Sequence, residues 1–176
     1  MVSQRKELLS HIDDLAEHIV GALRTRIHGD LHLGQVLVAG ADVQIIDFEG
    51  EPKKPIEERR AKASPLRDVA GLIRSFGYAS AHVARNRTNP GQEGENRAAD
   101  LLERFRADAQ AALLAGYAEG AGDALPPIDM NLLDLCLIEK AAYEVGYEIA
   151  NRPDWLPVPL HGLAALIGRV LAETAA

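Results

Sequence analysis

The stretch that most constrains this chain is residues 27–49, IHGDLHLGQVLVAGADVQIIDFE, where strand-forming sequence interrupts a chain otherwise patterned for helices. VLV and VQIIDF are rich in β-branched residues, and the AGAD between them, with Gly40 and Asp42, has the composition of a tight turn. The pattern predicts a β-hairpin. Closing it brings the end of the second strand beside the start of the first, so Asp47 approaches Gln35 and, through the preceding loop, Asp30. Polar groups distant in sequence then converge at one end of a two-stranded ribbon.

Asp47 and Glu49 are hard anionic oxygen donors and Gln35 offers a neutral amide oxygen. Mg²⁺ takes such ligands, usually one or two carboxylates together with waters and substrate phosphates. Asp30 is a separate carboxylate, placed to accept a hydroxyl proton. In the protein-kinase pattern one Asp serves the nucleophile, an Asn five residues later holds metal, and a distant Asp holds metal too. Asp30, Gln35 and Asp47 keep that order, with the homologous amide in the Asn position. Other readings stand beside this one. Asp30 can cap its own turn, and Glu49 with Glu51 can form a solvated charged face. His28, Asp30 and His32 can also be read as a transition-metal cluster of a hydrolase. His82 and His161 lie elsewhere without ligand spacing, so the oxygen-donor reading accounts for more of the pattern.

HGDLHLGQ followed by IIDFEGEP resembles the catalytic and metal-binding loops of the aminoglycoside phosphotransferase-like kinases, and Gln35 with the EGEP extension resembles the maltokinase group within them. The similarity continues through SPLRDVAGLIRSFGYA (64–79) and EKAAYEVGYEIANRPDWLPVPL (139–160). The resemblance implies the C-terminal lobe of a protein-kinase-like fold over residues 1–176, mostly α with a small β-hairpin. Its catalytic loop would span 27–35, its metal-binding loop 45–52 and its acceptor-sugar region 139–160. It further implies Asp30 as base, Gln35, Asp47 and Glu49 as Mg²⁺ ligands, ATP as phosphoryl donor and maltose as acceptor. His28 and Asp68 would be structural supports of the catalytic loop. No Gly-rich strand loop and no strand lysine of the kinase pattern occur in the sequence, so a nucleotide-binding lobe is expected to be absent. Such a lobe, or a trehalose synthase domain, is the protein partner the resemblance implies.

Around that centre the chain reads as helices. Leu8, Ile12, Leu15, Ile19 and Leu23 make an apolar stripe over 4–23. The charged stretch 51–62 reads as irregular. Ser64-Pro65 opens a helix carrying Leu66, Val69, Ile73 and Phe76 to about residue 84, with Asp68 in its first turn. The polar stretch 86–96 reads as a loop before a helix over 95–118. A further helix over 131–150 buries Leu135, Ile138, Ala142, Val145 and Ile149, and a last one spans 160–174. In the 131–150 helix Tyr143 and Tyr147 share a face, as do Glu144 and Glu148, and Arg152 and Trp155 follow. These are the groups a sugar pocket needs, and equally those of an ordinary polar helix surface. The resemblance favours the acceptor pocket.

Composition narrows the class. With 176 residues, 47% of them apolar, the chain can bury one core. A net charge of −7 with dispersed basic residues argues against a nucleic-acid partner. Cys136, the one cysteine, lies in an apolar run and reads as core. No segment looks like a membrane span or a signal peptide, so a cytoplasmic location is expected. Two further functions remain open: a non-catalytic sugar- or partner-binding module, and a phosphotransferase for another acceptor such as an aminoglycoside or choline.

Overall fold

The computed structural model describes residues 5–17, 19–87 and 91–174. Its elements run α1 (Arg5–Glu17), β1 (Val36–Ala39), β2 (Asp42–Ile45), α2 (Ile56–Arg60), α3 (Leu66–Arg85), α4 (Gly91–Ala121), α5 (Met130–Asn151) and α6 (Pro157–Thr174). β1 and β2 pair antiparallel with Val36 opposite Ile45 and Ala39 opposite Asp42. Gly40 at φ 66 takes the left-handed turn conformation that glycine adopts at little cost. The expected mostly α chain with one small hairpin is what folds.

α5 is the central helix. Its Leu132, Leu133, Cys136 and Leu137 pack on Leu66, Val69 and Ala70 of α3, with Leu113, Leu114 and Tyr117 of α4 covering them. Behind it, Ile138 meets Leu15 of α1 and Val170 of α6. A helix contacted on several sides is apolar around most of its girth, and α5 is so over its first half.

Several expectations on local structure are corrected. α1 ends at Glu17 rather than at residue 23, and the chain turns at Ile19–Gly21, where Gly21 has φ 81. Ile19 and Leu23 are exposed, so the apolar stripe outlasts the helix. Residue 18 of the expected first helix lies outside the described residues, as do residues 88–90 of the expected polar loop. α4 is already helical from Gly91. The stretch 51–62 contains the short helix α2, its acidic residues in the first turn and Arg59 and Arg60 in the last, as the helix dipole favours. Ser64 does accept from the amide of Leu66, at 3.3 Å. Residues 153–172 are long and apolar enough to match a membrane span by length and composition, contrary to expectation. On that stretch Ile167 and Val170 are buried and Arg169 pairs with Asp134 of α5 at 2.7 Å.

The apolar stripe of α5 is displaced from the one the sequence predicts. Ala142 and Ile149 face outward, while Ala141, Glu144 and Glu148 are buried. Two carboxylates lie in the core side of the helix because cations meet them there. Arg74 of α3 donates to Glu144 Oε2 at 2.7 and 2.9 Å. Glu148, 1% exposed, accepts from Arg152 at 2.6 Å and from the Tyr78 hydroxyl at 3.0 Å. Gly162 of α6 closes over this pair so tightly that a Cβ there would run into the Arg74 guanidinium.

Candidate active site

The site is assembled around the backbone of the loop that precedes β1. Asp68, in the first turn of α3, accepts from the amides of His28 (2.7 Å) and Gly29 (2.9 Å) with its two carboxylate oxygens. His28 is buried, and both of its ring nitrogens are engaged. Nε2 lies 2.7 Å from the Ile46 carbonyl, which can only accept, and Nδ1 lies 3.3 Å from the Asp30 amide, which can only donate. The ring is therefore the neutral Nε2–H tautomer. One imidazole ties the end of β2 to the residue expected to act as base. Gly29, at φ 84, is required where the loops meet: a Cβ there would lie 3.3 Å from the Gly50 Cα. On the other side α3 approaches so closely that a Cβ on Gly71 would lie 2.5 Å from the Leu31 carbonyl oxygen. His32 caps the short 3-10 turn Leu33–Gln35 by accepting from the Gly34 amide at 3.0 Å.

The hairpin brings Gln35 and Asp47 together: the amide Nε2 donates to Asp47 Oδ2 at 3.0 Å, and Ile46 N donates to Gln35 O at 3.0 Å. Asp47 has φ 66, the left-handed region that non-glycine residues seldom adopt. Such backbone is often found at functional sites. Glu49 is exposed and points to Arg59, 3.8 Å away. Two oxygen-bearing side chains in contact fit a cation that takes its remaining ligands from water and phosphate. Turning over the Gln35 amide would present Oε1 beside the Asp47 carboxylate. Among the described residues no group of three or more His, Cys, Asp or Glu could hold a metal ion, and both ring nitrogens of His28 are already engaged.

A cavity of about 670 Å³ opens beside Asp30, between the loop that precedes β1, the loop at Gly50 and Glu51, the start of α3 and α5. Lys140 and Tyr143 of α5 line it with Glu51. Lys140 Nζ lies 3.5 Å from Asp30 Oδ1. Burial holds the Asp30 carboxyl above its ordinary pKa; Lys140 opposes that shift and Glu51 adds to it. The Tyr143 hydroxyl is buried near the Glu51 carboxylate without a well-formed hydrogen bond. Burial, then the Glu51 carboxylate, pushes its pKa well up, so the phenol stays protonated and able to donate. Cys136 lines the same cavity, and burial pushes its thiol up to about 11, which keeps it an unreactive thiol.

The α5 residues expected to touch substrate divide into two sets. Tyr143 borders the cavity beside Asp30, and Tyr147 lies under Lys53 Nζ, 4.2 Å from its ring centroid. Glu144 and Glu148 turn instead toward α3 and pair with Arg74, Tyr78 and Arg152. Trp155 stacks on Tyr78 and His82 at 6.2 and 6.3 Å between ring centroids, and the Arg85 guanidinium covers it at 4.8 Å. Sequence reasoning did not single out Lys140, and it weighed Glu51 only as part of a solvated charged face. Lys140 is three residues before Tyr143, on the same helix face, and that spacing was the available signal.

No family model matches the chain. It is 31% identical over 145 residues to the glucosamine kinase of Mycolicibacterium smegmatis, covering 80% of this chain and 34% of that enzyme. It is 29% identical over 149 residues to the glucosamine kinase of Streptacidiphilus jiangxiensis, covering 84% of this chain and 32% of the other. The chain thus spans about a third of the length of these relatives. A solved glucosamine kinase in complex with glucosamine, ADP and inorganic phosphate superposes with a TM-score of 0.72 at 24% identity, over 99% of this chain and 43% of that one. The fold matches part of that solved glucosamine kinase. The relatives move the resemblance from maltose kinases to amino-sugar kinases.

Proposed function

We propose that the chain is the acceptor- and metal-binding lobe of an ATP-dependent sugar kinase, with a hexosamine such as glucosamine as acceptor in preference to maltose. The observation that carries this reading is Asp30 on the wall of a cavity lined by Lys140, Tyr143 and Glu51, one loop away from the Gln35–Asp47 pair. The solved relative's bound sugar and ADP support the same class of reaction. A protonated sugar amine would find its partner in Glu51, an acidic group that neutral maltose does not need. In the reaction an acceptor hydroxyl oxygen bonds to the γ-phosphorus as the bond to the β–γ bridging oxygen breaks. ADP leaves with that electron pair and Asp30 takes the hydroxyl proton. Mg²⁺, held by Gln35 and Asp47 with Glu49 nearby, would neutralise phosphate charge. This chain contributes the base, the metal ligands and the acceptor wall, and catalysis draws the rest of the phosphate cradle from a nucleotide-binding lobe.

Two measurements test the reading. Calorimetry on the 176-residue chain should give heat of binding with glucosamine and little with maltose, without ADP release from Mg-ATP. In a chimera where this chain replaces the matching part of the M. smegmatis relative, Asp30→Asn should lower glucosamine-dependent ADP release by about 10²–10⁴-fold. Equal turnover of the wild-type and Asp30→Asn chimeras refutes the base. Binding of maltose alone refutes the amino-sugar acceptor, and binding of neither sugar refutes the acceptor cavity.

A further inference from the structure

We propose that Lys140 is the positioning residue of Asp30: its ammonium holds Oδ1 as a fixed counter-ion and leaves Oδ2 for the proton of an incoming hydroxyl. Lys140 is the one side chain within hydrogen-bond reach of the Asp30 carboxylate among the described residues, at 3.5 Å, and both side chains are about three-quarters buried. At that depth a pair interacts more strongly than on the surface, because less water screens it. Lys140 is fixed from below, its Nζ 5.4 Å from the Tyr143 ring centroid. The ammonium thus rests on an aromatic face and reaches across the cavity wall to the loop.

The other charged groups around Asp30 do not supply this contact. Glu51, from the loop after β2, repels it, and His32, in its own loop, attracts it more weakly than Lys140 does. Asp68 of α3 is bound to the amides of His28 and Gly29. Arg67 of α3 pairs with Glu139 of α5 at 2.6 Å. The Tyr143 phenol stays neutral. Removing the Lys140 charge therefore leaves the burial of Asp30 and the repulsion from Glu51 opposed by His32 alone.

The proton-accepting role of Asp30 rests on the sugar-kinase reading, whereas the Lys140–Asp30 coupling is measurable without it. In the 176-residue chain, carboxyl ¹³C NMR follows the titration of Asp30, its signal assigned by its loss in Asp30→Asn. Lys140→Met keeps the stem and removes the charge, and should move the Asp30 midpoint upward. Lys140→Arg should restore a midpoint near the wild-type one. An unchanged midpoint in Lys140→Met overturns the proposal, and so does an equal shift in both variants, which would reflect lost packing. If Lys140→Met does not fold, Lys140→Gln carries the same comparison with the same outcomes. An upward shift in a chain that binds no sugar would uphold this pair and count against the kinase reading instead.

Discussion

Tyr143 and Glu144 are neighbours in sequence but serve opposite duties. About 100° apart around a helix of 3.6 residues per turn, they put two faces of α5 to different uses. One face, with Lys140, Tyr143 and Tyr147, looks toward Asp30 and the loop at Glu51 and Lys53. The other, with Glu144 and Glu148, is locked to α3 by Arg74 and Tyr78. The first face leaves a buried hydroxyl without a well-formed hydrogen bond and a cavity beside it; the second pairs its charges within the protein. A polar residue is available to a ligand only where the fold has not already matched it.

If that division is right, the largest stability loss lies on the locked face. Arg74→Met should cost about 3–5 kcal/mol in urea unfolding at neutral pH, because it strands the buried Glu144 carboxylate. Burial already holds Glu144 above its ordinary pKa against the pull of Arg74. A raised native pKa gives a stability contribution that is full below the unfolded value and lost as pH rises through the native one. The cost of Arg74→Met should therefore shrink as pH falls, because Glu144, its pKa raised by burial, takes up a proton and ceases to be a stranded charge. A cost that does not vary with pH would show that Glu144 is not the stranded group.

Gly71→Ala probes the seat of the Asp30 loop rather than either face of α5. Its Cβ would meet the Leu31 carbonyl, a backbone atom that can yield only by moving the loop. Overpacking of that kind costs about 1–3 kcal/mol, and sugar binding should weaken with it as Asp30 is displaced. Full affinity in a destabilised Gly71→Ala protein would separate the loop from the acceptor site.

Tyr143→Phe should have the smallest effect on stability, within about 0.5 kcal/mol, since its hydroxyl lies near Glu51 without a well-formed hydrogen bond to lose. Sugar affinity should fall nonetheless. A stability loss as large as that of Arg74→Met would erase the distinction between the faces.

Much of the site's skeleton was legible because it depends on local rules. The hairpin follows from β-rich runs flanking a Gly–Asp turn, and the Asp30–Gln35–Asp47 order carries over into geometry at the Gln35–Asp47 contact. Asp68 in the first turn of a Ser-Pro-started helix also reads directly from sequence. The end of α1 was not legible, because Ile19 and Leu23 continue the apolar period after the backbone has turned away. Nor was the inward side of α5. Helical spacing groups Glu144 with Glu148 but does not say which side is core, and buried carboxylates are read as surface until Arg74, seventy residues earlier, is seen to meet them. Lys140 was passed over for the same reason: its partner, Asp30, is 110 residues away.

The hairpin itself behaves differently from the helices around it. Val38 and Val43, opposite each other on one face, are 79% and 56% exposed, and Leu37 on the other face is 47% exposed, so neither face of this part of the ribbon is covered by a second layer among the described residues. Two strands without such a layer are barely stable alone. What holds this ribbon shut is the clasp at its open end, the His28–Ile46 and Ile46–Gln35 hydrogen bonds. Its amides should exchange with deuterium through local opening, far faster than those of α5. A cation held as proposed between Gln35 and Asp47 would tighten that end of the ribbon and slow the exchange. On the proposed function the ribbon would be a built-in gauge of occupancy, readable at equilibrium and without phosphoryl transfer.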